Sequence, residues 1–244
     1  ARRIANLVIE HSVEAQSQGR GRVTARDSML KQLSEMMLRA EGKGRRLIRF
    51  DIGEPRFRPP RVVVREAKRF LERTPVMLYG SSAGLPALVD AIAQRLNRRY
   101  GTKLGRSNIL IFPGGRFAIF ASILTTVSSL ERVVLIRPTW PAYESYVTLA
   151  GGRTLPVPTR LEDHWDIDLT ALEETLRLGP KMIVLNSPNN PTGKVLSASM
   201  FEEIMELARK YRTVVLSDEV YTTYSNVPVP SVLEYPDAES IYVN

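Results

Sequence analysis

Residues Lys181 to Gly193 read KMIVLNSPNNPTG, and Thr213 to Tyr221 read TVVLSDEVY. Each is a short run of apolar and β-branched residues that stops abruptly at polar and turn-forming ones. That is the pattern of a parallel strand buried on both faces that delivers side chains to the open end of a sheet. Asn190 precedes Pro191, and an X-Pro bond adopts the cis form at a cost of only about 0.5 to 1 kcal/mol, so a sharp, rigid turn is able to aim the asparagine amide. Asp218 follows five residues suited to a covered strand, where an ionised carboxylate is costly unless a cation or a strong donor meets it. A protonated pyridine ring is such a cation. Taken singly, Asn-Pro turns are common, and an aspartate at a strand end often only caps the next helix.

Upstream, the same alternation of element types recurs. Asn108 to Phe112 reads as a strand, and PGGRFAIFASILTTV turns from it directly into a helix. Glycines at such a junction let backbone N–H groups face an anion where the helix dipole also favours it. Val133 to Arg137 reads as the next strand and ends in PTWPAYESY, which places Trp140 just beyond a strand end between prolines, with a flat face available for stacking on an aromatic ring. A helix runs on to Leu149, and GGRTLPVPT is then a strand whose prolines are tolerated only near an edge. Asp168 to Leu178 is a helix, Lys181 to Leu185 a strand, Ser197 to Tyr211 a helix capped by Ser197, and Thr213 to Ser217 a strand. This order predicts an α/β fold, a mainly parallel sheet covered by helices on both faces.

The N-terminal third has a different composition. Residues 1 to 73 hold 18 Lys and Arg against 9 Asp and Glu, so the net charge of +8 is an N-terminal property. Residues 1–28 mix Arg, Gln, Ser and Gly around a short amphipathic segment, Ile4 to Val13, and read as a basic flexible arm. Met29 to Ala40 has helical apolar spacing that ends at Gly42 and Gly44. Leu47 to Ile52 reads as a short strand before GEPRFRPP, and Arg61 to Glu72 as a basic amphipathic helix. The charge excess has no aromatic interleaving and no recognisable DNA-binding motif, so a solvated basic surface is expected rather than a nucleic-acid site. The chain has no cysteine, which excludes disulfides and thiolate metal sites and fits a reducing cytoplasm. His11 and His164 give no metal-ligand spacing, and no apolar run approaches the roughly 20 residues a membrane helix needs.

Five segments in order, YGSSAGLPALVDAIAQRL from Tyr79, PGGRFAIF, Trp140 in PTWPAYESY, PNNPTG and SDEVY, resemble the class I and II aminotransferases, pyridoxal phosphate enzymes of fold type I. The resemblance covers roughly residues 29 to 244. It implies that residues 29–75 belong to the small-domain or entrance region and 76–244 to the large domain that binds pyridoxal 5'-phosphate, here incomplete. In that pattern Gly115, Arg116 and Phe117 surround the cofactor phosphate, Trp140 lies on the pyridine ring, Asp218 faces the ring nitrogen, and Asn190 and Tyr221 donate to the ring oxygen. Asp218 should then have a lowered pKa, because its ionised form gains a cationic partner. Tyr79 would reach the phosphate of the neighbouring subunit in a homodimer. Gly53, Trp140 and Asn190 would contact substrate, an amino acid or a 2-oxo acid, although the family more often has Asp where Arg56 stands.

The Schiff-base lysine of the family follows a further strand soon after the aspartate, and this sequence stops at Ile241 to Asn244, where that motif would begin. No catalytic residue is therefore assigned, none of the seven lysines, Lys194 included, substitutes by pattern, and the 244 residues alone are expected to lack transamination activity. A lyase or synthase of the same fold, or a non-catalytic regulator or remnant, are the other readings the residues leave open.

Overall fold

The computed structural model describes residues 29–48, 53, 57–73 and 78–244. The arm at 1–28, residues 49–52 of the strand expected at Leu47 to Ile52, and Arg56 lie outside the described residues; Leu47 and Ile48 form no strand. Two compact units divide between Gly80 and Ser81. In the smaller, the basic N-terminal region forms helices α1 (Met29–Gly42) and α2 (Arg61–Arg73), close to the spans their apolar spacing predicts. Among the described residues no helix is long and apolar enough to cross a membrane.

The larger unit is built on five parallel strands, β1 (Arg132–Arg137), β2 (Arg153–Pro158), β3 (Met182–Asn186), β4 (Val214–Asp218) and β5 (Ser240–Val243), in the order β2-β1-β3-β4-β5. Helices α3 (Pro86–Tyr100), α4 (Gly115–Thr126), α5 (Ala142–Leu149), α6 (Leu169–Arg177) and α7 (Ala198–Lys210) accompany them. β3 and β4 are buried at every position, which is why their sequences are unbroken apolar runs rather than alternations. β2 carries Pro156 and Pro158 and lies at the edge, where a missing N–H breaks no ladder on the outer side.

Strand alternation divides the core in two. Val133, Leu135, Met182, Val184, Val214 and Leu216 face α4 and α5, meeting Ile119, Ile123, Tyr143 and Val147. Val134, Ile183, Leu185 and Val215 face the other way, onto Leu172 and Leu176 of α6 and Phe201, Ile204 and Met205 of α7. Burial of each large side chain of α7 stabilises by roughly 1.5 to 3 kcal/mol. The helix starts are fixed locally. The Asp168 carboxylate accepts the amides of Thr170 and Ala171, and the Ser197 hydroxyl accepts that of Met200.

One expectation fails. Asn108 to Phe112 does not join the sheet: Arg106–Asn108 is a single 3₁₀ turn, and the residues after it form no strand. The apolar side chains that suggested one, Ile109 and Ile111, pack instead on Val89, Ile92 and Ala93 of α3. The Ile111 amide donates to Ala83 O at 3.1 Å, so the segment is satisfied by a loop rather than a ladder. Gly84 makes that approach possible, since its φ is +109° and a β-carbon there would overlap Ile111. Conversely, Ser240–Val243 forms an edge strand on β4 that its four residues were too few to announce.

Candidate functional site

β3 and β4 end in register, Asn186 opposite Asp218, and their side chains begin the site. Asn186 Nδ2 donates to the backbone oxygen of Asp218 at 2.9 Å, and Asn186 Oδ1 accepts the Asn190 amide N–H at 2.7 Å. One buried amide thus ties the PNNPTG turn to the end of β4. The turn is closed further by Asn189 Oδ1, which accepts from the Thr192 N–H and hydroxyl, and the Asn190–Pro191 bond is cis. So held, the Asn190 side chain points Nδ2 at the Tyr221 hydroxyl, 3.3 Å away.

Asp218 is 4% exposed. Its Oδ2 accepts the Tyr143 hydroxyl at 2.5 Å and its Oδ1 accepts the Val220 amide at 3.3 Å. Among the described residues no lysine or arginine forms an ion pair with it. Burial therefore pushes its pKa above the usual carboxylate range, and the hydrogen bonds from Tyr143 and Val220 offset this only in part. The fall expected from the sequence depends on a cationic partner, and among the described residues none pairs with Asp218. Burial and the adjoining carboxylate together push the Tyr143 phenol up.

Across from Asp218, Gly114 takes φ 93° at the start of α4. The Phe117 and Ala118 amides fold back onto Gly114 O, which leaves those of Gly115 and Arg116 without a backbone partner among the described residues. The Arg116 side chain lies over the Trp140 ring, 5.5 Å from its centroid, and its Nε donates to the Tyr146 hydroxyl at 3.1 Å. Trp140 in turn meets Tyr143 edge-on at 5.3 Å.

These groups border one cavity of about 240 Å³, lined by Gly115, Arg116, Trp140, Asn190, Asp218 and Tyr221 together with Ile119, Tyr143, Asn186 and Val220. Six of the expected site residues are thus brought together. Phe117 is not among the lining residues; it sits between Phe112 and Phe120, at 5.8 and 6.0 Å between ring centroids, and is 48% exposed. Gly53 and Tyr79 belong to the smaller unit and are exposed there. Sequence reasoning missed Asn186 and Tyr143. The first polar residue after the apolar run Met182–Leu185 was a signal for Asn186, whereas no local pattern marked Tyr143, whose contact depends on how α5 docks.

A sequence model described as "Aminotransferase class I and II" matches residues 45–237. The aspartate aminotransferase of Sulfolobus acidocaldarius is 31% identical over 207 residues, covering 83% of this chain and 52% of that protein. The aspartate aminotransferase of Thermotoga maritima is 33% identical over 179 residues, covering 73% and 47%. The chain therefore spans about half the length of these relatives. Among solved structures, the Thermotoga maritima aspartate aminotransferase superposes with a TM-score of 0.82 at 29% identity, over 89% of this chain and 58% of that one. The Thermus thermophilus aspartate aminotransferase crystallised with maleate gives 0.81 at 26%, over 89% and 57%. The parallel sheet, the cavity at its open end and a family match over more than half of the residues agree: this chain belongs to the class I and II aminotransferases.

Proposed function

We propose that this chain is the cofactor-holding part of an aminotransferase that binds pyridoxal 5'-phosphate and moves an amino group between an amino acid and a 2-oxo acid. The observation that carries the reading is that a buried carboxylate, Asp218, and the glycine-led start of α4 border the same cavity. Asp218 has burial and spare acceptor capacity but no cation paired with it among the described residues, so a protonated ring nitrogen suits it. The amides of Gly115 and Arg116, with the Arg116 guanidinium, suit a phosphate at a helix N-terminus. Trp140 offers its face to the ring, and Asn190 and Tyr221, already converging at 3.3 Å, offer donors to the ring oxygen. When bound, the cofactor accepts electrons from the substrate α-carbon; the protein holds and tunes it.

The remaining assignments follow the family pattern. By that pattern Phe117 belongs with Gly115 and Arg116 around the phosphate, Gly53 contacts the substrate carboxylate, and Tyr79 reaches the phosphate of a second subunit, which makes the working form a homodimer. A chain without cysteine suits the cytoplasm. The names of the relatives make aspartate the first amino donor to try.

The test is a titration of the 244-residue chain with pyridoxal 5'-phosphate, followed by equilibrium dialysis and by quenching of Trp140 fluorescence. Among the described residues no lysine lines the cavity, so the bound cofactor should wash out after borohydride treatment rather than remain attached. Asp218→Ala should weaken binding at least tenfold. Equal retention by wild type and variant would sink the reading.

A further inference from the structure

We propose that Tyr143 is a positioning residue that sets the charge of the cavity: by donating its hydroxyl to Oδ2, it holds the buried Asp218 carboxylate ionised and fixed, leaving Oδ1 as the acceptor for a protonated heteroaromatic nitrogen. The identity of the ligand rests on the cofactor reading above; the effect of Tyr143 on Asp218 does not.

The argument begins with what a buried phenol requires. Tyr143 is 1% exposed, and its hydroxyl must find a partner or carry a desolvation cost of about 1 to 3 kcal/mol. That partner is Asp218 Oδ2 at 2.5 Å, the length of a charge-assisted O–H to carboxylate bond. The ring cannot swing away, because α5 buries it against the sheet and Trp140 meets it edge-on. Asp218's other side-chain contact, the Val220 amide on Oδ1, is long at 3.3 Å, so Oδ1 keeps acceptor capacity that Oδ2 has committed.

Among the described residues no neighbouring charged side chain pairs with the Asp218 carboxylate. From α4, Arg116 turns its Nε to the Tyr146 hydroxyl and lies over the Trp140 face rather than on Asp218. From α5, Glu144 pairs with Arg137 of β1 at 2.8 Å, and Tyr146 holds Arg116. After β4, Tyr221 accepts from Asn190, and Glu219 is bound by Ser217, Ser231 and Val232. β3 contributes Asn186, which is neutral and reaches the Asp218 backbone oxygen rather than its carboxylate. Among the described residues Tyr143 is thus the one short donor to the Asp218 side chain. It opposes the burial that favours the protonated acid.

The direct test is carboxyl ¹³C NMR of the chain labelled with ¹³C-aspartate, the Asp218 resonance being assigned by its loss in Asp218→Asn. In Tyr143→Phe the Asp218 midpoint should rise by about one pH unit, a tenfold change in proton affinity. A more acidic phenol, 3,5-difluorotyrosine placed at 143, should move it the other way while keeping the shape of the site, which guards against a Phe variant that folds poorly. Between the two midpoints Tyr143→Phe should bind pyridoxal 5'-phosphate up to about tenfold more weakly than wild type, and the ratio should return toward one above the higher midpoint. In an Asp218→Asn background, Tyr143→Phe should change affinity less than twofold. An Asp218 midpoint that stays put in both variants overturns the proposal. If wild type binds no cofactor, the function proposed above fails while the NMR result still decides this one.

Discussion

Asp218 and Glu219 are consecutive carboxylates, 4% and 1% exposed, that strand alternation sends to opposite faces of the sheet. Asp218 falls on the side of α4 and α5, where it meets one short donor and an open cavity. Glu219 falls on the side of Val232, where its Oε1 collects the Ser217 hydroxyl at 2.9 Å, the Ser231 hydroxyl at 3.1 Å and the Val232 amide at 2.9 Å. Burial raises the pKa of both, so burial alone does not separate a functional acid from a structural one. The distribution of donors does. Glu219 Oε1 collects three donors from the chain itself and pins the 231–234 turn to β4, its Oε2 being buried without a partner among the described residues, whereas Asp218 takes one donor on each oxygen and borders the open cavity.

If that contrast is right, exchange of roles should be visible in mutants. Glu219→Ala strands the Val232 amide and two serine hydroxyls in the interior and should cost about 3 kcal/mol in urea unfolding. Asp218→Asn keeps a side chain of the same shape and should leave the unfolding midpoint nearly unchanged, yet weaken pyridoxal 5'-phosphate binding on the order of a hundredfold, the scale of a lost charge-assisted bond. A stable Glu219→Ala chain, or an Asp218→Asn chain that unfolds, would dissolve the distinction.

Asn186 touches both strand ends, so its removal should affect both readouts. Asn186→Ala leaves the Asn190 amide without its acceptor and frees the PNNPTG turn, with an expected cost of about 2 kcal/mol. Cofactor affinity should fall as well, because Asn190 no longer holds its side chain toward Tyr221. Loss of stability with unchanged affinity would show that the turn is positioned by other contacts.

The same comparison yields a pH dependence. A carboxyl whose folded pKa is raised binds more protons folded than unfolded between the two values. Its contribution is fully present below the unfolded pKa and is lost as pH rises through the folded one. Asp218 and Glu219 should both make the chain less stable over that window, and Asp218→Asn and Glu219→Gln should each flatten part of the decline. Glu173 behaves oppositely. Hydrogen bonds from Lys210 and Tyr211 hold it down to about 2, so its contribution is present above the ordinary glutamate value and is lost as pH falls toward about 2. Thermal melts across pH 2 to 8 on Asp218→Asn, Glu219→Gln and Glu173→Gln separate these contributions.

Much of the large unit could be read from the chain because its signals are local. β3 and β4 announced themselves as apolar runs ending in polar residues, Ser197 as a cap, and β2 as an edge by its prolines. Asp218 and Asn190 were legible for the same reason, as polar residues at strand ends. Tyr143 was not, because its role depends on how α5 docks, and no local pattern records that a phenol one turn past Trp140 will reach β4. Ile109 and Ile111 misled in the converse way: their apolar character was real, but α3 rather than a neighbouring strand satisfied it.

The smallest effect tests the structural side of the pair most closely. The Ser231 hydroxyl donates to Glu219 Oε1 and accepts the Leu233 amide, while the Ser231 amide donates to Glu234 Oε2 at 2.8 Å, a reciprocal box that closes the turn. Ser231→Ala removes one of three donors to Glu219 and one cap acceptor, with an expected cost of about 1 kcal/mol. The two remaining donors still hold Glu219, so affinity for pyridoxal 5'-phosphate should not change. In a Glu219→Gln background the cost of Ser231→Ala should shrink, because a neutral acceptor gains less from the hydroxyl than a carboxylate does. Equal costs in the two backgrounds would mean that Ser231 acts only as a cap, and that the Val232 amide and Ser217 suffice to hold Glu219 in place.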